Sequence, residues 1–266
     1  MAIHQSPILN IMMKAAEKAS RSLLRDFGEV EQLQVSRKGP GDFVSAADKR
    51  AEEIIFEELK KAHPTYSFLM EESGSVKGEN TDFCWIIDPL DGTTNFLHGL
   101  PHWCISIALQ VKGDVTHGLV YDPVKDEMFT AEKGKGAFIH RNKRLRVSGR
   151  RDNLSALVLT GAPRRLENNH EEFFREQRAV WESGACLRRY GAAALDLTYV
   201  AAGRAEAFWE RSLKPWDVAA GILIVKESGG FVCDFTDHKA NPNKTGNVLA
   251  ANESLFTDLK KVLKNA

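Results

Sequence analysis

The four cysteines, Cys84, Cys104, Cys186 and Cys233, are scattered, and no two of them make a Cys-x-x-Cys pair. That excludes the usual zinc-ligand spacings and a disulfide framework, and it predicts reduced, buried thiols in a cytosolic protein. No charge of either sign is in surplus: Lys plus Arg and Asp plus Glu both number 36, so the formal net charge is zero. Without a broad positive field, direct autonomous binding of nucleic acid is not expected. No apolar run approaches the ~20 residues a membrane span needs, so no membrane association is expected. Internal repeats and low-complexity tracts are missing as well. The basic residues Lys14, Lys18, Arg21 and Arg25 near the N-terminus invite a transit-peptide reading, but Glu17 and Asp26 oppose it. Instead Ile8, Ile11, Met12, Ala15, Ala16, Ala19, Leu23 and Phe27 recur at helical spacing. Ser6 stands as candidate cap and Pro7 at the first helical position.

What is present is an ordinary folded composition, 43% hydrophobic and 27% charged, over 266 residues. That length suits one large domain or two lobes sharing an interface. After the first helix, a strand is expected over Gln32–Arg37, a loop over Lys38–Asp42, and a second helix from about Ser45 to Lys61. Strands follow at Tyr66–Met70, Phe83–Asp88, Trp103–Lys112, Val115–Tyr121 and Glu127–Ala131. In the second half, strands at Ala156–Thr160, Ala205–Glu210 and Asn247–Ala250 alternate with helices near Glu171–Trp181, Ala192–Ala202 and Pro215–Glu227. An α+β pattern therefore passes into an α/β one. The join near Ser148–Asn153 divides an N-terminal lobe, 1–148, from a C-terminal lobe, 149–266.

The strongest local signal is Trp85-Ile-Ile-Asp-Pro-Leu-Asp-Gly-Thr-Thr-Asn95. An apolar strand runs into Asp88; Pro89 removes a donor and turns the chain, aiming the Leu90 carbonyl back toward Asp88. Two carboxylates three positions apart at a strand end can face one hard cation, and the amides that open the next helix can receive phosphate oxygens. The same residues can equally make a polar Asp-Gly turn. Glu71 and Glu72 also follow a strand, as solvated acids often do. Asp217 opens a helix apolar enough to be buried, where an unpaired charge is costly, although the helix dipole alone favours an acid there. Asp48 follows Ser45 at capping-box spacing, which serves a cap as well as a function.

Asp42-Phe-Val-Ser-Ala-Ala-Asp48, Met70-Glu-Glu-Ser-Gly74, the Asp88–Asn95 stretch and Pro215-Trp-Asp-Val-Ala-Ala-Gly221 together resemble the motif set of the inositol monophosphatase family, in order and in spacing. Asn95-Phe-Leu-His-Gly-Leu-Pro101 and Gly191-Ala-Ala-Ala-Leu-Asp196 resemble its bacterial branch. The resemblance implies a layered αβαβα sandwich and a cytoplasmic, magnesium-dependent, lithium-sensitive phosphomonoesterase acting on a polyol phosphate such as myo-inositol 1-phosphate. It implies two to three Mg2+ ions: one on Glu71, Asp88 and the Leu90 carbonyl, a second on Asp88, Asp91 and Asp217, and a weaker third sharing Glu71. Thr93 would pair with Asp48 to help activate water, with Glu71 completing the catalytic set. The Gly92 and Thr93 amides would hold the phosphate, while Asp91, Gly191, Ala192 and Glu210 would meet the polyol. Where some relatives carry Thr, this chain has Ala192. His98, His102 and His117 would be structural or surface groups, and Lys38 would lie on a loop closing over the metals.

The metal motifs are shared with phosphatases for histidinol phosphate, fructose bisphosphate and 3′-phosphonucleotides. A second phosphate would want a basic pocket, which Arg188, Arg189, Arg211 and Lys214 could supply, although surface or interface roles suit those residues better. A homodimer is implied too. Similar bacterial proteins also act as accessory factors in ribosomal-RNA transcription, so a protein partner in a transcription complex is a second expectation.

Overall fold

The computed structural model describes residues 6–29, 35–39, 42–140, 142–163 and 170–266, with 35–39 and 42–45 described by backbone alone. The first helix, α1 (Pro7–Phe27), starts as expected, with Ser6 Oγ accepting the Leu9 amide at 3.3 Å and Pro7 in the first turn. Its apolar face buries Leu9, Met12, Met13, Ala16, Ala19 and Leu23. A short hairpin, β1 (Val35–Gly39) with β2 (Asp42–Ser45), leads into α2 (Ala46–Ala62). The loop expected over Lys38–Asp42 is thus narrower, because Lys38 belongs to a strand; its side chain, that of Ser45, and residues 32–34 lie outside what is described.

Eight strands make the larger sheet: β3 (Tyr66–Met70), β4 (Gly74–Val76), β5 (Asn80–Asp91), β6 (Cys104–Val111), β7 (Asp114–Asp122), β8 (Glu127–Glu132), β9 (Gly136–Ile139) and β10 (Lys143–Arg144). Their order is β10-β9-β8-β7-β6-β5-β3-β4. Only β3 and β5 run parallel, with Met70 beside Ile87; the other pairs are antiparallel. A short helix, α3 (Thr93–Leu97), links β5 to β6. The smaller sheet draws on β11 (Leu157–Thr160), β12 (Cys186–Arg188), β13 (Ala207–Glu210), β14 (Phe231–Asp234) and β15 (Val248–Ala251), in the order β12-β11-β13-β15-β14. Between these strands run α4 (His170–Glu182), α5 (Ala193–Ala201), α6 (Pro215–Glu227), α7 (Pro242–Thr245) and, last, α8 (Glu253–Asn265).

Three apolar clusters fix the layering. Helices α1 and α2 cover one face of the larger sheet, burying Leu23, Ile55, Trp85, Ile87 and Trp103. Helices α5 and α6 lie between the two sheets, where Leu195, Leu197, Ile222 and Ile224 meet Val120 and Phe129 on one side and Leu159 and Phe208 on the other. Helices α4 and α8 cover the outer face of the smaller sheet through Val180, Leu255, Leu259 and Leu263. The order is α, β, α, β, α. Being enclosed on both sides, α5 and α6 are apolar all round, whereas the outer helices are amphipathic.

The middle layer is close enough to exclude side chains. At Gly118 on β7, an added Cβ would lie 3.0 Å from the Ala220 carbonyl oxygen and 3.1 Å from its Cα, so α6 rests directly on the strand backbone. Gly118→Val should therefore lower stability by about 1–3 kcal/mol, as overpacking usually does. The denaturant midpoint measures this, and an unchanged midpoint would contradict the close approach.

Candidate active site

Residues three apart on a regular strand point to opposite faces. Asp88 and Asp91 escape this rule because β5 carries a bulge: Asp88 pairs with Ser106 and Asp91 with Cys104, so three steps on β5 match two on β6. Pro89 sits inside the bulge, where its missing N–H costs no ladder bond. The Leu90 amide donates to Asp88 Oδ1 at 2.9 Å, and the Leu90 carbonyl accepts from the Thr93 hydroxyl at 3.0 Å. That carbonyl keeps a second lone pair for another partner. Glu71 comes alongside because β3 and β5 end together, its amide donating to the Ile87 carbonyl at 3.2 Å. The turn after it is held by the buried Glu52 of α2, which accepts from the Glu72 and Ser73 amides at 2.8 and 2.9 Å.

Asp217 arrives from the other half of the chain. It occupies the first turn of α6 and accepts the Lys214 amide at 2.7 Å. Ser106, the cross-strand partner of Asp88, donates to the Trp216 carbonyl at 3.1 Å and ties that turn to the larger sheet. Glu210 ends β13 opposite Gly161, where any Cβ would collide with its carboxylate. Asp48 is buried in the first turn of α2, with 2% exposure.

The carboxylates act on one another. Burial, then the charges of Glu71, Asp91 and Asp217, push the Asp88 carboxyl well above the usual range. Asp91 is pushed up to about 7 by burial, against the stabilising amide of Ala194, with Asp196 and Glu71 adding repulsion. Glu210 is raised well above its ordinary value by burial and by Asp196, Asp217 and Asp91, with Arg189 opposing. Among the described residues no three or more acids, His or Cys side chains close into a chelating cage. Instead they share a field, and Asp88, Asp91 and Asp217 each have an oxygen engaged by a backbone amide. A set of hard oxygen donors whose charges oppose each other fits a divalent cation of the magnesium kind.

Gly92 precedes α3 with φ 92°, and a Cβ there would stand 3.0 Å from the His102 carbonyl and 3.1 Å from Ala192 Cβ. No side chain caps the amides that open α3. The expected polyol contacts Gly191 and Ala192 lie just before α5, whose Ala194 amide donates to Asp91 Oδ2 at 2.7 Å. Of the residues that could have supplied a basic pocket, Arg188 and Arg211 are drawn to other partners. Arg211 is taken up by Glu176, with a 2.8 Å contact through Nε, and lies 3.6 Å from Glu172, while Arg188 turns back to the Leu187 carbonyl and Cys186 Sγ. His98 is exposed and His117 half-buried. All four cysteines are free, as their spacing implied, but only Cys104 is buried; Cys84 and Cys233 are half-buried and Cys186 is exposed. Sequence reasoning missed Glu52 and Ser106, for neither carries a local signal; each matters only through the backbone it meets across the fold.

Comparison with known proteins identifies the family. The model of the inositol monophosphatase family matches residues 4–265. An inositol-1-monophosphatase of Mesorhizobium japonicum is 51% identical over 98% of this chain and 97% of its own length. A Nus factor SuhB of Pseudomonas aeruginosa is 44% identical over 95% of this chain and 94% of its own. The crystal structure of the extragenic suppressor protein suhB from Bartonella henselae superposes with a TM-score of 0.94 at 50% identity, covering 98% of this chain and all of that one.

The raised carboxyls set a sign for pH. With Asp91 titrating at about 7 in the fold and about 3.9 unfolded, the folded state keeps a proton the unfolded state has released. That contribution is fully present below the unfolded value and is lost as pH rises through about 7. Without divalent metal, Tm should fall between about pH 5 and 8, and magnesium should raise it more at the upper end, where protons no longer compete. Thermal scans across that range decide it, and a magnesium increment larger at the acid end would overturn the reading.

Proposed function

Because the chain belongs to the inositol monophosphatase family, we propose that it hydrolyses a polyol phosphate monoester, myo-inositol 1-phosphate foremost, to the free polyol and phosphate with magnesium. The observation that carries this is the meeting of Asp88 with Glu71, Asp91 and Asp217 in one desolvated field. Glu71, Asp88 and the Leu90 carbonyl would hold one ion and Asp88, Asp91 and Asp217 a second, with a third sharing Glu71. Bound cations neutralise the phosphate and give water and the leaving alkoxide workable acidities near neutral pH. The Gly92 and Thr93 amides orient the phosphate oxygens, since α3 begins without a side-chain cap. The Thr93 oxygen positions the attacking water, and Asp48 and Glu71 would join Thr93 in activating it.

On the polyol side, Asp91, Gly191, Ala192 and Glu210 form the recognition surface. Glu210 accepts from hydroxyls and repels a second phosphate, and with Arg211 committed to Glu176 a bisphosphate finds little to hold it. This ranks inositol 1-phosphate ahead of fructose bisphosphate and other esters that carry a second phosphate. Two lobes, 1–148 and 149–266, with the site between them accord with a larger sheet drawn wholly from the first and a smaller one from the second. A homodimer is supported by three large apolar side chains left exposed, Leu154, Phe174 and Trp181, at 85, 59 and 67%. A cytoplasmic setting accords with four free thiols, and none of the described helices is long and apolar enough to cross a membrane. The relatives named Nus factor SuhB favour a second role with a protein partner in transcription.

Asp88→Asn keeps shape but removes the charge proposed to bridge two ions, so turnover should collapse while the circular dichroism spectrum stays native. Chelation should abolish activity, and lithium should inhibit. Near-normal turnover of the variant, or activity in metal-free buffer, would refute the mechanism, whereas capture of transcription proteins by the variant would support the separate partner role. Glu210→Gln should weaken selection among polyol phosphates yet spare an aryl phosphate. Equal losses on both would assign Glu210 to the fold or the metals.

A further inference from the structure

Asn95, His102 and Asp196 form a buried polar chain that the hydrolytic chemistry does not use. Asn95 spends both amide hydrogens on carbonyls, donating to His102 at 2.8 Å and to Tyr190 at 2.7 Å. His102 Nε2 meets Asp196 Oδ1 at 3.0 Å, with the two side chains 14% and 1% exposed. The imidazole also lies against the Tyr190 and Tyr199 rings, at centroid distances of 4.9 and 5.5 Å. Burial disfavours the charged form of both partners, lowering His102 to about 4 and raising Asp196.

Location gives this chain a purpose. It spans from α3 and the segment that follows it to the turn Tyr190-Gly191-Ala192 and the first turn of α5. Asn95 grips the turn at its first residue and would contact a Cβ at Gly191 at 3.5 Å, and Gly191 itself needs its φ of 86°. Asp91 grips α5 at Ala194, and His102 grips it again at Asp196. A buried polar pair of this kind adds little stability over an apolar one, so its use lies in fixing geometry.

We propose that Asn95, His102 and Asp196 are positioning residues that set the distance between the phosphate-binding motif and the turn that reads the leaving group, and thereby determine polyol specificity. This rests on the phosphate-ester reading above. His102→Phe keeps the ring contacts and removes the hydrogen bond. KM for inositol 1-phosphate should rise about tenfold, the equivalent of about 1.4 kcal/mol. The kcat on p-nitrophenyl phosphate, which has no polyol to place, should stay within about twofold. His102→Gln, which can still donate to Asp196, should restore the native KM. Hydrogen exchange of the Gly191–Leu195 amides should quicken in His102→Phe and not in His102→Gln, a readout independent of catalysis. If His102→Phe does not fold, the double variant His102→Phe/Asp196→Leu, with no buried carboxyl left alone, replaces it under the same expectations. Native KM with unchanged exchange in the folded variant, or equal kcat losses on both substrates, overturns the proposal. A native chain that hydrolyses neither ester refutes the phosphatase reading instead, and exchange alone then decides the positioning role.

Discussion

Repulsion among acids held out of water is the constraint on which the rest of this protein depends. Asp88 is 2% exposed and feels Glu71, Asp91 and Asp217 at once. An uncompensated cluster of this kind opposes folding, and it persists only where the surrounding structure leaves the side chains no way to separate. Mutual destabilisation and cation affinity are the same property seen from two sides.

The restraint comes mainly from backbone. Amides of Leu90, Ala194 and Lys214 hold Asp88, Asp91 and Asp217 respectively, and Glu52 holds the turn that carries Glu71. Such bonds stabilise the anions individually while fixing them near one another, so the site is organised before any ligand arrives. Ser106 adds the link between halves, joining the strand beside Asp88 to the turn before Asp217.

Helix α6 turns that link into architecture. It lies between two sheets, apolar on every side, and approaches β7 so closely that Gly118 has no room for a side chain. The acid at its start therefore cannot drift relative to the larger sheet. Helix α5, in the same layer, is gripped at its start by Asp91 and one turn on by His102. Asp217 at the start of α6 and the turn that leads into α5 consequently sit at the ends of neighbouring helices in one packed middle layer.

Patterns repeating within a few residues were legible in the sequence: the N-terminal cap and apolar face of α1, the apolar strand leading into Asp88 (though it continues to Asp91), the helix Pro215–Glu227, and the acid-bearing motifs themselves. Short strands such as β4, β9, β10, β12 and β14 were not, because two to four residues hold too little alternation to stand out. Nor was the partner of Arg211 legible, since it is Glu176 on a helix 35 positions away. The deepest gap is one of parity. Sequence spacing puts Asp88 and Asp91 on opposite faces of a strand, and only the bulge against β6 turns them to the same side. The kinds of atom available to a cation were written in the chain, but their convergence was decided by tertiary contacts, because facing depends on strand register and helix packing, which no local pattern encodes.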